Sequence, residues 1–331
     1  MLRRMVLALG VVLSVWSMAL SLAAEAQQAG RVYRIGVLSL TSFENTTLAK
    51  VTIEGLVRLG YVVGRNIVVE DKFADGQAER LPALASELVR LNVDVIVAGH
   101  TSAIHAARDA TTTIPIIMSF SGEDPVKRGF VTSLARPGGN VTGVTAVARD
   151  LAPKTLDLLR DAVPGLTRIA VLTNPSMPEH AEYVRLLQAV RPQGVELQVL
   201  EASRPDQYDA AFAAMTKQRA EGLVILGSIM FTRDSERLAT LALSHKLPSA
   251  YLWRAFCLAG GLMAYGPDLR QLLDLGTEYV DKILKGAKPG ELPVQQPTTF
   301  KLAINMKTAK ALGLTIPPSL LQRADDVNCK E

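Results

Sequence analysis

The stretch Val93-Asp94-Val95-Ile96-Val97-Ala98, running into Gly99-His100-Thr101-Ser102-Ala103-Ile104, decides how the chain is read. Its first six residues are mostly β-branched and apolar, and so short a run bounded by a glycine describes a central parallel strand covered on both faces. Thr101 or Ser102 is then expected to cap a helix. At such a junction the unpaired N–H groups of the first helical turn and the positive end of the dipole face the carboxyl edge of the sheet, where a small anion can be held. Two readings stand side by side, a ligand cradle and a plain helix cap. Repetition favours the cradle, because several other strands end in the same kind of small, polar loop.

Outward from this stretch, short apolar runs alternate with helical periodicity. Strands are expected at Arg34–Ser39, Asn66–Glu70, Pro115–Phe120 and Asn140–Thr145, with helices at Leu48–Leu59, over Leu81, Leu84, Ala85, Leu88 and Leu91, and up to Ala110. Strands separated by helices of this length imply βαβ units with right-handed crossovers and a parallel sheet. After the turn Arg136-Pro137-Gly138-Gly139-Asn140 the pattern starts again. A helix over Lys154–Val163 leads to strands at Arg168–Thr173, Glu196–Leu200, Leu223–Leu226 and Ser249–Leu252, with helices between them. Two similar α/β halves in series are the economical reading. The order then breaks: Gly260–Gly266 is strand-like, Asp268 caps a long helix with Gln271 at the capping-box position, and a strand at Phe300–Ile304 comes late.

The 331 residues suffice for two domains with their own cores. With 48% hydrophobic and 21% charged residues, the chain is globular. At the N-terminus Arg3-Arg4, an apolar run from Met5 to Leu22 and Ala24-Glu25-Ala26 follow the order of a secretory signal peptide over residues 1–26, cleaved near Ala26. An uncleaved anchor is the alternative, as the run is near spanning length. Removal of that segment takes away Arg3, Arg4 and Glu25 and leaves 34 basic and 31 acidic residues, a net charge of +3. No long basic run and few aromatics remain, so no nucleic-acid partner is expected. Cys257 and Cys329 can form a bridge pinning the C-terminal tail, or stay as two thiols.

Enzyme signatures are missing. The sequence has no G-x-S-x-G elbow, H-E-x-x-H, C-x-x-C, Walker lysine loop or G-x-G-x-x-G. His100 and His105 fall about 140° apart around a helix. No cofactor, metal or catalytic residue is expected.

Several runs resemble one family. They are Gly55-Leu56 through Leu59-Gly60-Tyr61 with Gly64-Arg65-Asn66-Ile67, Arg80–Ala85, Ser133–Gly143, Ala259–Pro267, Tyr279–Pro289 and Ile304–Pro318. Together they are similar to the substrate-binding proteins of ABC transporters in the tryptophan/tyrosine-type group, across essentially the whole mature chain. The resemblance implies a type I periplasmic-binding-protein fold: two doubly wound, Rossmann-like α/β lobes with mainly parallel sheets, joined by three crossing segments and closing on a ligand between them. On that pattern lobe 1 takes residues 32–146 plus 262–296 and lobe 2 takes 147–261 plus 297–331, with the first crossing near 144–150. It also implies a periplasmic monomer that hands a small carboxylate-bearing solute, an amino acid or organic acid, to ABC permease subunits with their ATPase. A periplasmic ligand sensor using the same cleft is the alternative, with a small-molecule enzyme behind it.

Strand ends place the expected ligand contacts. The first lobe offers Ser39 and Thr41, then His100, Thr101 and Ser102, then Ser121 with Asp124; the second offers Thr173 and Asn174, Ser228 and Trp253. Hydroxyls, helix N-termini and an amide suit a carboxylate. Asp124 would answer an ammonium group or, as the favoured alternative, start the turn at Pro125. Trp253, the one tryptophan left after cleavage, would stack on the ligand or sit half-buried. The chain departs from amino-acid-binding members where Asn174-Pro175-Ser176 is followed by Met177-Pro178-Glu179-His180, because the acidic residue, Asn and Ser found there in those members are not reproduced.

Overall fold

The computed structural model describes residues 31–40, 47–146 and 151–329. The expected signal peptide, Thr41 and residues 147–150 of the expected first crossing lie outside them. Contacts divide the chain into two compact units. The first takes residues up to Ser119 with Arg136–Gly143 and Gly276–Pro293; the second takes Phe120–Ala135, Val144–Leu275 and Val294 onward.

The first unit runs β1 (Tyr33–Ser39), α1 (Thr47–Arg58), β2 (Ile67–Phe73), α2 (Leu81–Arg90), β3 (Val95–Gly99), α3 (His100–Ala110), β4 (Ile116–Phe120) and β5 (Val141–Gly143). Its sheet has the order β2-β1-β3-β4-β5, with β1 parallel to both β2 and β3. All five residues of the central β3 are buried, as its apolar run requires of a strand covered on both faces. One face carries α2: a Cβ on Gly36 would touch Leu88 at 3.0 Å. The opposite face carries α1, since a Cβ on Gly99 would meet Leu48 at 2.8 Å. Helices on both faces make the sheet doubly wound. The Asn140–Gly143 run closes its far edge. Asn140 Nδ2 donates to the Thr111 and Ile114 carbonyls at 3.1 and 2.9 Å. Gly143 has φ +126°, and a Cβ there would stand 2.3 Å from the Met118 carbonyl oxygen, so only glycine fits.

The second unit continues with α4 (Leu151–Ala162), β6 (Arg168–Thr173), α5 (Pro178–Val190), β7 (Glu196–Glu201), α6 (Tyr208–Lys217), β8 (Gly222–Ile225), α7 (Ile229–Arg233), α8 (Ser235–Ser244), β9 (Ser249–Tyr251), α9 (Arg254–Leu258), β10 (Met263–Pro267), α10 (Leu269–Leu284), β11 (Phe300–Ile304), α11 (Met306–Ala311), α12 (Pro318–Leu321) and β12 (Asp326–Val327). Its sheet has the order β12-β11-β10-β9-β8-β6-β7, parallel except where β10 meets β11. An α/β fold with mainly parallel sheets is therefore what the chain adopts.

The division differs from the sequence reading at residues 120–135, 144–146, 262–275 and 294–296, all expected in lobe 1 and held by the second unit. The strand Met263–Pro267 was expected in the first lobe, but it pairs with β9 and β11 in the second sheet. Gly266 permits this, because a Cβ there would lie 2.1 Å from the Leu252 carbonyl oxygen. The chain instead passes back to the first unit inside α10, between Leu275 and Gly276. Asp268 does cap that helix, its Oδ1 accepting from the Arg270 and Gln271 amides at 3.0 and 3.4 Å. Another of these stretches is Phe120–Ala135, expected in lobe 1 and held by the second unit. There Tyr183 OH donates to the Gly122 carbonyl at 2.6 Å, and the Ala146 amide donates to the Ser121 carbonyl at 2.9 Å.

Cys257 and Cys329 are joined, with Cα atoms 5.7 Å apart across 72 residues of sequence. That bridge fixes the C-terminal segment onto the second unit, beside Asn305 whose Nδ2 donates to the Cys257 carbonyl at 3.1 Å. No helix among the described residues is long and apolar enough to cross a membrane.

Candidate functional site

Strand ends supply the candidate residues, and the two units present them differently. In the first unit Ser39 is buried at the end of β1, its Oγ 3.7 Å from where a Gly99 Cβ would project. The fold thus sets Ser39 beside the β3–α3 junction. That junction is tighter than expected. Gly99, in extended conformation, is the N-cap residue, and as a glycine it has no side chain with which to cap the helix. Thr101 and Ser102 therefore do not cap α3; both lie half-buried within its first turn. The reason is His100, whose φ of +69° turns the chain from strand into helix one residue early. A histidine in the left-handed region is strained, and such strain clusters at functional positions. Burial also pushes the His100 imidazole down to about 4, so at neutral pH it faces its surroundings uncharged.

Amides of a first helical turn have no partner within their own helix. At α3 they lie at the carboxyl edge of the central strand, with Thr101 and Ser102 hydroxyls on the same turn. Ser119 is a residue that sequence reasoning passed over. Its hydroxyl, at the end of β4, is buried with no hydrogen-bond partner among the described residues, and a Cβ on Gly276 would stand 3.7 Å from it. Such a group calls for a water or a ligand. The signal available was its position, two residues before Ser121 on a predicted strand.

In the second unit most candidates are engaged by their own loop or a neighbouring strand. Thr173 Oγ1 donates to the Leu200 carbonyl at 3.2 Å, and Asn174 Oδ1 accepts from the Ser176 amide at 2.9 Å. Ser228 is the N-cap of α7, its Oγ accepting from the Phe231 amide at 3.1 Å. Ser121 Oγ pairs with the Glu123 backbone at 3.0 and 3.2 Å. Asp124 takes the turn-starting alternative, its Oδ1 accepting from the Val126 and Lys127 amides at 3.0 and 3.3 Å. Trp253 immediately precedes α9 and is half-buried, packed against Val144, Ala146 and Leu272. Its Nε1 lies 3.6 Å from where a Gly227 Cβ would be, so the indole borders the loop that carries Ser228.

A second overlooked residue organises these loops. His180, 2% exposed, accepts a hydrogen bond from the Asn174 amide at Nδ1, 2.8 Å away, and its Nε2 lies 3.1 Å from the Gly227 carbonyl. Three turns of chain, after β6, after β8 and at Gly122, are thereby tied to the first turns of α5 through His180 and Tyr183. The sequence reading marked Met177–His180 only as a departure from relatives. A histidine six residues after Asn174 gave no local sign that its ring would fold back onto that residue. Glu179, its neighbour, has a buried Oε2 with no hydrogen-bond partner among the described residues.

Polar loops at the carboxyl ends of two doubly wound, mainly parallel sheets define a solute-binding protein of the type I periplasmic class. Residues 35–328 match the family described as ABC transporter substrate binding protein, and the chain belongs to that family. It is 27% identical to the tyrosine-binding protein of Clostridioides difficile over 282 residues, covering 85% of this chain and 81% of that one. Among solved structures, a conserved domain protein from Vibrio cholerae superposes with a TM-score of 0.81 at 26% identity, covering 90% of this chain and all of that one. A domain from Streptococcus pneumonia in complex with L-Trp gives 0.80 at 26% identity, covering 89% and 99%.

Proposed function

We propose that the chain is the exported, ligand-capturing component of an ABC importer, and that it binds one small carboxylate-bearing molecule, an amino acid or organic acid, without converting it. The observation that carries this reading is the β3–α3 junction. A strained His100, the first-turn amides and Thr101 and Ser102 stand in the first turn of α3 at the carboxyl end of the central strand, beside Ser39. These are donors and a positive dipole end, and they suit an anion. Ser39, Thr41, His100, Thr101 and Ser102 are the first unit's candidate contacts for the carboxylate. The second unit's own candidates are Ser121, Asp124, Thr173, Asn174, Ser228 and Trp253, whose indole offers a flat apolar wall.

Tyrosine and tryptophan in relatives support an amino acid, and the missing polar trio after Asn174 supports a broader search among organic acids. The Cys257–Cys329 bridge supports export, because disulfides persist in oxidising compartments. A monomer delivering its solute to permease subunits and their ATPase completes the reading. Calorimetry with L-tyrosine, L-tryptophan and a panel of organic acids, followed by mass analysis of the recovered compound, tests it. One-to-one binding with the compound unchanged is expected. Chemical conversion, or no affinity for any carboxylate in the panel, would overturn it.

A further inference from the structure

We propose that His180 is a positioning residue: a neutral imidazole, protonated at Nε2, that ties the loops after β6 and β8 together and releases them when it takes a second proton. The inference rests on the reading that these loops face the ligand.

The geometry assigns the proton. A backbone amide can only donate, so the Nδ1 atom 2.8 Å from the Asn174 nitrogen must accept. Nε2 then carries the hydrogen and donates to the Gly227 carbonyl at 3.1 Å. Asn174 is the first residue past β6, and Gly227 directly precedes Ser228, the cap of α7. One ring therefore joins the backbones of two loops that carry candidate ligand residues. Tyr183, three residues further along α5, packs its ring 6.1 Å from the imidazole and donates to the Gly122 carbonyl. The same helix face thus reaches the Ser121–Asp124 turn.

A second proton cannot be accommodated without breaking this arrangement. The imidazolium has a hydrogen on Nδ1, which would point at the Asn174 N–H and leave that buried amide without an acceptor. The groups facing the ring from other elements are the Asn174 amide and the Gly227 carbonyl, neither of them charged at neutral pH; the Tyr183 ring and Glu179 act on it from its own helix. Burial is the largest influence and lowers the affinity of the ring for a proton, with the Gly227 carbonyl and Glu179 working against it. At neutral pH the tie holds, and acidification undoes it.

Hydrogen exchange on the ligand-free protein tests the tie, with rates expressed as protection factors so that intrinsic pH effects cancel. In the parent at pH 7.5 the Asn174 amide should be protected and the side-chain nitrogen spectrum should show the Nε2–H tautomer. His180→Ala should lose at least about tenfold of that protection, whereas His180→Asn, which keeps an acceptor near the Nδ1 position, should retain most of it. Lowering the pH to 5 should act on the parent as the alanine substitution does and leave His180→Asn unchanged. Should the alanine variant not fold, the pH series on the parent and His180→Asn decides. Equal protection in all three proteins, or an Nδ1–H tautomer, would overturn the proposal. Affinity for L-tryptophan is the parallel probe. If it falls with acidification in the parent and stays level in His180→Asn, the loops face the ligand. If the exchange results hold while L-tryptophan does not bind at all, the tie stands and the amino-acid reading of the ligand fails.

Discussion

The carboxyl edges of the two sheets solve the same problem in opposite ways. In the first unit the decisive loop is almost absent: β3 runs into α3 through Gly99 at the N-cap and a histidine at φ +69°, and the Ser119 hydroxyl has no partner among the described residues. In the second unit the polar side chains after β6 and β8 bond within their loops or to the neighbouring strand, and His180 joins two loops together. Polar residues at strand ends therefore do not all have the same meaning. A serine whose oxygen already accepts a backbone hydrogen is mainly a structural part, whereas a buried hydroxyl such as that of Ser119, with no partner among the described residues, has bonding capacity to offer. The comparison predicts that substitutions in the first unit act on binding and that those in the second act on stability.

The largest effect should come from the covalent tie of the second unit. Replacing Cys257 and Cys329 by serine removes a link across 72 residues and should cost about 2–4 kcal/mol, read from Trp253 emission during urea unfolding. Amides of β1 and β3 should keep their exchange protection at denaturant concentrations where the second unit opens. Simultaneous loss in both units would break the comparison, since the edges then belong to one cooperative body. Next in size is the double substitution Thr101→Ala with Ser102→Ala. Neither residue is the N-cap of α3, so stability should change by less than affinity does. Ligand affinity should fall by about 1.5–3 kcal/mol, the range for a hydrogen bond to a charged group. A lower melting temperature with unaltered affinity would return both residues to a structural role.

What the sequence made legible follows from how local each cause is. The short buried strands β1, β3 and β6 announce themselves through β-branched runs, and the Asp124 turn through an Asp-Pro pair, because a few adjacent residues determine each. Met263–Pro267 was recognisable as a strand but not as a member of the second sheet, since its partners Ala250 and Ile304 lie far along the chain. The passage between units inside α10 leaves no mark, as helical periodicity continues unbroken through Leu275 and Gly276. At the site, the strand-end rule selected Ser39 and His100 but mistook the start of α3, because nothing local to His100 signals a left-handed backbone. His180 escaped notice for the same reason that makes it useful, since its two partners come from different loops.

A smaller effect sharpens the second half of the comparison. Ser228→Ala removes the acceptor for the Phe231 amide and should lower stability by about 0.5–2 kcal/mol, measured by thermal unfolding. Affinity should move less than stability does. A larger loss in affinity than in stability would show that Ser228 serves the ligand directly, and the contrast between the two edges would then narrow.

The smallest effect concerns the strained residue itself, and its sign is the informative part. A non-glycine residue in the left-handed region costs about 1–2 kcal/mol, while glycine pays about 0.5–1 kcal/mol in lost chain entropy. His100→Gly should therefore be neutral to about 1 kcal/mol more stable at pH 7.5, while binding a carboxylate ligand less well. Acidification supplies a second reading. An unfolded histidine protonates near 6.5, but burial holds the folded His100 down to about 4. Between those values the unfolded chain binds more protons, so the His100 contribution is intact above about pH 6.5 and is lost as the pH falls toward 4. His180, also lowered by burial, acts with the same sign and survives in the variant. Urea unfolding of parent and His100→Gly at pH 7.5 and 4.5 should accordingly show a smaller acid-induced loss in the variant, though not a vanishing one. If the variant is less stable than the parent at pH 7.5, packing of the His100 ring outweighs its backbone strain. The first edge would then be held by its side chains, as the second is.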